Sequence, residues 1–520
     1  MSHPTRPMPD PTRPAELASM AAAIERAAAD VALAEEPARF AAALDAGAVA
    51  DAASAGATPT GIAAEIRTGR RSPVDVTRAC VERIARLDGR VRAFIAPDAE
   101  GAMARARALE ADAAAGRWRG PLHGVPVAFK DLCHLAGQPT SCGTKTAEYF
   151  FAEHDCTAAR RLLDAGAIGL GKLNMSELAS GPFGDNAHHG DVDNPWRAGH
   201  CSGGSSSGSG AAVAAGMAWG AIGTDTGGSI RLPAACCGVV GMKPTYGRVS
   251  RAGAMALSWS LDHVGPLAPT VRDAALLLTV MAGRDPRDAT SSQRPVPDYV
   301  AALGRGVAGL RIGVPEGFYF DRIDPEMAAA ARAAADVLGG LGARVASVAV
   351  PDPTGLVDVA NVISRSEAAA VHVRLLTERA HELQPAVRAR LEVGLRISAH
   401  DYLQAQRVRA RLTRQFVEQV FGEVDVLLAP VIPEPAPALD AVKAGTVEDV
   451  VARMGRFSRL TRPINALGLP ALSIPCGFSA VALPLAVQVI GRAFDESTVF
   501  RVGHAYEQAT PWHRQRPPLD

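Results

Sequence analysis

The stretch TDTGGSIRLPAACCG (residues 224–238) places a serine directly after two glycines. Gly227 and Gly228 adopt positive φ at little cost, so the chain can turn sharply before Ser229. Ser229 then falls where a helix begins, with Ser229 as N-cap, Pro233 in the first turn and Gly238 at the far end. A hydroxyl in that place stands beside backbone N–H groups that have no helical partner, a set of donors suited to an oxyanion. The same residues also read as a plain capping serine with no chemistry. A nucleophilic serine needs a proton acceptor. None of the 13 histidines is marked by its surroundings. The pair His188–His189 lacks a third metal ligand and reads as a solvated loop. A lysine can serve instead when burial keeps it neutral. Lys130 ends the apolar stretch VPVAFKD (125–131), and α/β enzymes place reactive groups at strand ends. Its plain alternative is an ion pair with a residue such as Asp131.

Residues 203–210 read GGSSSGSG, a composition typical of flexible spacers. Apolar segments follow at once, AAVAAGMAWGAIG and then the Ser229 turn, so the run belongs to a packed region. Lys130, this run and Ser229 together resemble the amidase signature family. The resemblance rests on GVPVAFKD (124–131), GKLNMSEL (171–178), NPW (194–196), GGSSSGS (203–209) and GTDTGGSIRLPAACCGVVGMKPTYGRVS (223–250). It extends through SLDHVGPLA, APVIPEPAP and the carboxyl-terminal NALGLPALSIPCGF…LAVQVIGRAFDE, covering roughly residues 58–515.

The resemblance implies a Ser–Ser–Lys triad: Ser229 the nucleophile, Ser205 the proton bridge and Lys130 the base, with a cis peptide at Gly204–Ser205. It further implies an oxyanion site on the backbone of Thr226, Gly227 and Gly228, with Asp225 and Arg231 anchoring the turn behind it. The activity implied is hydrolysis of an amide-type C–N bond in a small molecule through an acyl-enzyme, with no cofactor and no metal. Two positions depart from the family pattern: Ser207 stands where Gly is more frequent, and Ser202 where Pro is frequent. Gly204–Gly208 also satisfies the G-x-S-x-G elbow of α/β-hydrolases, but NPWRAGHCS upstream cannot form the strand that motif requires. The catalytic subunit of a tRNA-dependent amidotransferase shares the whole signature. The amino-terminal arm and the lack of a tRNA-binding extension favour a free-standing hydrolase.

Short apolar runs alternate with helical stretches from Gly120 onward, which predicts an α/β fold. The strand candidates are VPVAF (125–129), AIGLGKL (167–173), GLRIGV (309–314), ARVASVAV (343–350), VDVLLAP (424–430) and PALSIP (470–475). The family resemblance implies one large domain with a mixed, mostly parallel central sheet flanked by helices. Residues 1–14 are expected to be a disordered tail, 15–57 a helical arm and 58–520 the catalytic domain. Residues 58–117 read as helical, with Ser72 as N-cap, Pro73 at the first helical position and Asp75 in the first turn.

The 54 basic and 54 acidic residues balance, so overall charge points to neither nucleic acid nor a membrane surface. Eight scattered cysteines without a CxxC pair fit a reducing compartment, and the polar, Pro-rich amino end lacks a signal peptide's apolar core. The expected location is therefore the cytoplasm. The expected partner is a small amide, with a homodimer left open. Aliphatic and aryl amides, carbamates, ureides and esters all fit at this stage.

Overall fold

Eleven apolar runs bounded by Gly, Pro and polar residues form one sheet in the computed structural model, which describes residues 58–146 and 150–519. The expected tail and helical arm lie outside the described residues. The strands are β1 (Phe94–Pro97), β2 (Pro126–Lys130), β3 (Ile168–Leu173), β4 (Gly220–Asp225), β5 (Val240–Lys243), β6 (His263–Ala268), β7 (Arg311–Pro315), β8 (Arg344–Val348), β9 (Val426–Pro430), β10 (Ala471–Phe478) and β11 (Pro484–Gly491). Their spatial order is β1-β3-β2-β4-β6-β5-β10-β11-β9-β7-β8. All six strands expected from the sequence are present.

The single α/β domain with a mixed sheet and flanking helices is as expected. Parallel pairing makes up its two flanks, β3-β2-β4 and β9-β7-β8. The middle, from β4 through β6, β5, β10 and β11 to β9, is antiparallel. Antiparallel pairing therefore reaches further than the strand–helix–strand rhythm implied, because β10 and β11 form a long hairpin instead of being joined by a crossover helix. β2, β4, β5, β6, β9 and β11 are buried along their whole length, as sheets covered on both faces require.

The helix Pro73–Val91 starts as its sequence dictates: Ser72 Oγ accepts the N–H groups of Val74 and Asp75 at 3.0 and 3.2 Å. Its buried face is Val76, Cys80, Ile84, Leu87 and Val91, spaced at helical period. Residues 58–117 are not helical throughout, since β1 pairs antiparallel with β3 at the sheet edge. The unit β7–helix Pro325–Gly340–β8 is a parallel strand–helix–strand module. Among the described residues, no helix is long and apolar enough to cross a membrane.

Candidate active site

β2 and β4 are parallel neighbours, with Phe129 opposite Ile222, so both chains leave the sheet at the same edge. Lys130 ends β2 and Asp225 ends β4, which places the Ser229 turn next to the lysine. Ligand sites of open α/β sheets form at that edge. Lys130 is fully buried, and its Nζ lies 2.8 Å from Ser205 Oγ and 2.9 Å from Thr224 Oγ1. Removal from water holds the amine down at about 7. Asp131 does not pair with Lys130: its carboxylate faces Lys172 at 3.2 Å and takes Ser141 N–H at 3.1 Å.

Every residue of the Gly/Ser run is buried. The run turns into the helix Ser207–Ala214, and the Gly204–Ser205 peptide is cis. Ser206 Oγ donates to Thr224 O and accepts Thr224 N–H, both at 3.2 Å, while Ser209 Oγ donates to Ile222 O at 2.9 Å. These hydroxyls replace ladder bonds and lock the helix onto β4. Gly208 permits the approach, since a Cβ there would lie 2.2 Å from Ala93 O. Ser206 N–H reaches Ser229 O at 3.2 Å and brings the two serine segments side by side. The hydroxyls of Ser205 and Ser229 are not hydrogen-bonded to each other here. Ser229 is half-buried, and Ser205 is fully buried.

Asp225 holds the turn between them. Its carboxylate accepts Gly228 N–H at 2.7 Å, Ile230 N–H at 3.2 Å, Arg231 Nε at 3.0 Å and Asn465 Nδ2 at 2.8 Å. Arg231 in turn donates to Gln488 Oε1 at 2.9 Å and Asn465 Oδ1 at 2.7 Å. Asp225 and Arg231 are wholly buried, so the pair is no surface ion pair. Although Asp225 is buried, the adjacent guanidinium holds its carboxyl far below the usual carboxylate range. Replacing Arg231 by Met would strand that charge in the interior. We expect a loss of about 3–5 kcal/mol in unfolding free energy, read from denaturant titration.

Three sequence expectations change. Ser229 is not the helix N-cap: the helix is Arg231–Cys237 with Ile230 at the cap, and Asp225 takes the first N–H groups from outside. Gly228, expected among the oxyanion donors, already gives its N–H to Asp225. Gly227 and Ser229 are left as donors without an acceptor among the described residues. Gly228 serves by conformation instead, at φ 133° with Thr461 Oγ1 only 2.3 Å from where a Cβ would sit. The expected solvated loop at His188–His189 is also anchored, with His188 Nε2 2.6 Å from buried Glu177 Oε1.

The sequence reading missed Thr224, Asp262, Thr461, Asn465 and Gln488. Thr226 Oγ1 donates to Asp262 Oδ1 at 2.5 Å, and Thr461 Oγ1 donates to Gly227 O at 2.6 Å. Burial pushes the Asp262 carboxyl up to about 6. Asp262 lies in SLDHVGPLA and Gln488 in LAVQVIG, both segments that carried the family resemblance; for Gln488, a polar residue in an otherwise apolar strand was the available signal.

Ser229, Thr226 and Gly227 line a small cavity of about 40 Å³. Three larger cavities, of about 650, 460 and 520 Å³, open elsewhere. The first lies against the helix Pro73–Val91. The second reaches Thr224 and shares Leu257 with the Ser229 cavity. The smallest cavity is the relevant one, because of the four it alone contains the Ser229 turn.

The family model for Amidase matches residues 75–500. The amidase of Pseudomonas putida is 44% identical over 463 residues, covering 88% of this chain and 97% of that protein. A glutamyl-tRNA(Gln) amidotransferase subunit of Roseiflexus sp. (strain RS-1) is 43% identical over 474 residues, covering 87% and 96%. The crystal structure of a peptide amidase in complex with the competitive inhibitor chymostatin superposes with a TM-score of 0.77 at 32% identity, covering 89% of this chain and 99% of that one. With the fold, the matched span and these relatives in agreement, the chain belongs to the amidase signature family of hydrolases acting on amides.

Proposed function

We propose that the protein hydrolyses the amide bond of a small molecule through an acyl-enzyme on Ser229. The observation that carries this reading is the fully buried Lys130 amine, 2.8 Å from Ser205 Oγ at the edge where the Ser229 turn leaves the sheet. In the neutral state Lys130 takes the Ser205 proton while Ser205 takes that of Ser229, and the Ser229 oxygen attacks the carbonyl carbon. The N–H groups of Gly227 and Ser229, with Thr226 beside them, receive the oxyanion. Each such donor contributes about 3 kcal/mol in comparable sites. The same relay returns the proton to the leaving amine, and water then cleaves the ester. Asp225 and Arg231 keep the turn rigid. The Ser205–Ser229 contact closes with substrate present, as catalytic hydrogen bonds do in many apo enzymes.

A second reading, the glutamine-hydrolysing subunit of a tRNA-dependent amidotransferase, is favoured by the names of several relatives. A fluorophosphonate probe followed by peptide mapping tests the core of both readings: the expected adduct is on Ser229, and an adduct elsewhere overturns the assignment. Turnover of glutamine alone, with no other amide hydrolysed, would select the second reading.

A further inference from the structure

The cavity at Ser229 carries an unusual charge. Two arginines from separate parts of the chain reach it, Arg390 from the helix Pro385–Gly394 and Arg462 from the helix Arg462–Leu467, and the charge of a third, Arg365 in the helix Thr354–Val371, acts on both. Arg390 and Arg462 line the cavity itself, together with Ser364 and Ser458, and no acidic side chain does. Arg462 stands against the Ser229 turn, its Nη1 only 3.6 Å from where a Cβ on Gly227 would sit. Its own contacts are neutral, Nε to Ser458 Oγ at 2.9 Å and Nη1 to Asn361 Oδ1 at 3.0 Å. Arg390 Nη1 meets Ser180 O at 3.2 Å and Met454 Sδ at 3.5 Å. None of the three makes an ion pair among the described residues.

Guanidiniums this close disfavour one another, and burial adds to the cost. Arg390 is held down at about 9 and Arg462 at about 10, by loss of water first and by neighbouring arginines second. Among the described residues, the carboxylate of Asp185 opposes this only weakly. One of its oxygens already accepts Gln384 Nε2 at 2.6 Å. Each arginine keeps N–H groups in a planar fork that matches a carboxylate. A compensating charge is therefore missing from the protein at the place where the acyl half of a substrate would lie.

Resting on the catalytic reading above, we propose that the substrate is a short amide whose acyl half ends in a carboxylate, held by Arg462 and Arg390. The chemical class is the monoamide of a short dicarboxylic acid, without an ammonium group. Arg462 stands against the Gly227 turn, which keeps the span from carboxylate to amide short, and with no acid lining the cavity nothing would neutralise the α-ammonium of glutamine. The carboxylate docks bidentately, turns the amide carbonyl toward the Gly227 and Ser229 N–H groups, and leaves on the acyl fragment after hydrolysis.

The test compares succinamate, butyramide of equal chain length, and glutamine, in wild type, Arg462→Gln, Arg462→Lys and Arg390→Gln, with fluorophosphonate labelling of Ser229 run on each. The expected wild-type kcat/KM for succinamate exceeds that for butyramide and for glutamine by about 100-fold, the size of a charge-assisted bidentate contact. Arg462→Gln brings the succinamate-to-butyramide ratio toward one, mainly through KM, and Arg462→Lys recovers part of it. Arg390→Gln lowers the same ratio. If Ser229 labels normally but butyramide or glutamine is turned over as well as succinamate, the proposal is wrong while the catalytic reading stands. If Ser229 does not label and no amide is hydrolysed, the catalytic reading falls and takes the proposal with it.

Discussion

Ser229→Ala is expected to lower kcat by on the order of 10⁵–10⁶, the effect of deleting a nucleophilic serine whose partners act with it as one unit. Binding should survive the change. Ser229 lines the cavity but its hydroxyl anchors nothing among the described residues, and the turn is held by Asp225, Thr461 and Asn465 instead. The variant should therefore fold with an unchanged melting temperature and still bind substrate, which calorimetry and thermal unfolding would check alongside single-turnover assays. Retention of more than about a hundredth of the rate would mean that another group attacks the carbonyl. Ser205 is the one to examine in that case, because its hydroxyl is already in contact with the lysine.

Lys130 gives the second large effect, and its sign follows from burial. The amine is removed from water, so the neutral form is favoured and its pKa drops to about 7. A general base works only when unprotonated. The value of kcat/KM should therefore rise about tenfold per pH unit below that point and level off above it. Lys130→Met removes the base and should cost about 10⁴ in kcat, with the remaining activity losing its dependence on pH between 6 and 8. Lys130→Arg should be as inactive as Met, since a guanidinium does not give up its proton in this range. An unchanged pH profile in Lys130→Met would assign the titration to another group, and Asp262, pushed up to about 6, is the neighbour that would explain it.

The sequence exposed the parts of the site that are local. Lys130 ends a five-residue strand and Ser229 follows two glycines, so both stand out in a short window, while Ser205, two residues before a helix, was marked by the family resemblance. The outer parallel strands were legible for the same reason, being apolar runs bounded by turns. What escaped was whatever depends on distant partners. β4, β5 and β6 are rich in Gly, with apolar runs too short to declare a period, and tertiary burial decides their conformation. The cap on the helix Arg231–Cys237 was assigned to the nearest hydroxyl, whereas a carboxylate four residues earlier reaches it around the turn. Arg390 and Arg462 lie 72 residues apart in unremarkable helices, and no local pattern announces that their heads meet at Ser229. Charge clusters of this kind exist only in three dimensions.

Arg231 reaches across 257 residues to Gln488 and 234 to Asn465. A nascent polypeptide emerging from the ribosome thus carries Ser229 long before it has the braces that stiffen the loop around it. Bridging such spans is entropically slow and comes late in folding. The Ser229 turn therefore gains its full stiffness only when the final hairpin docks.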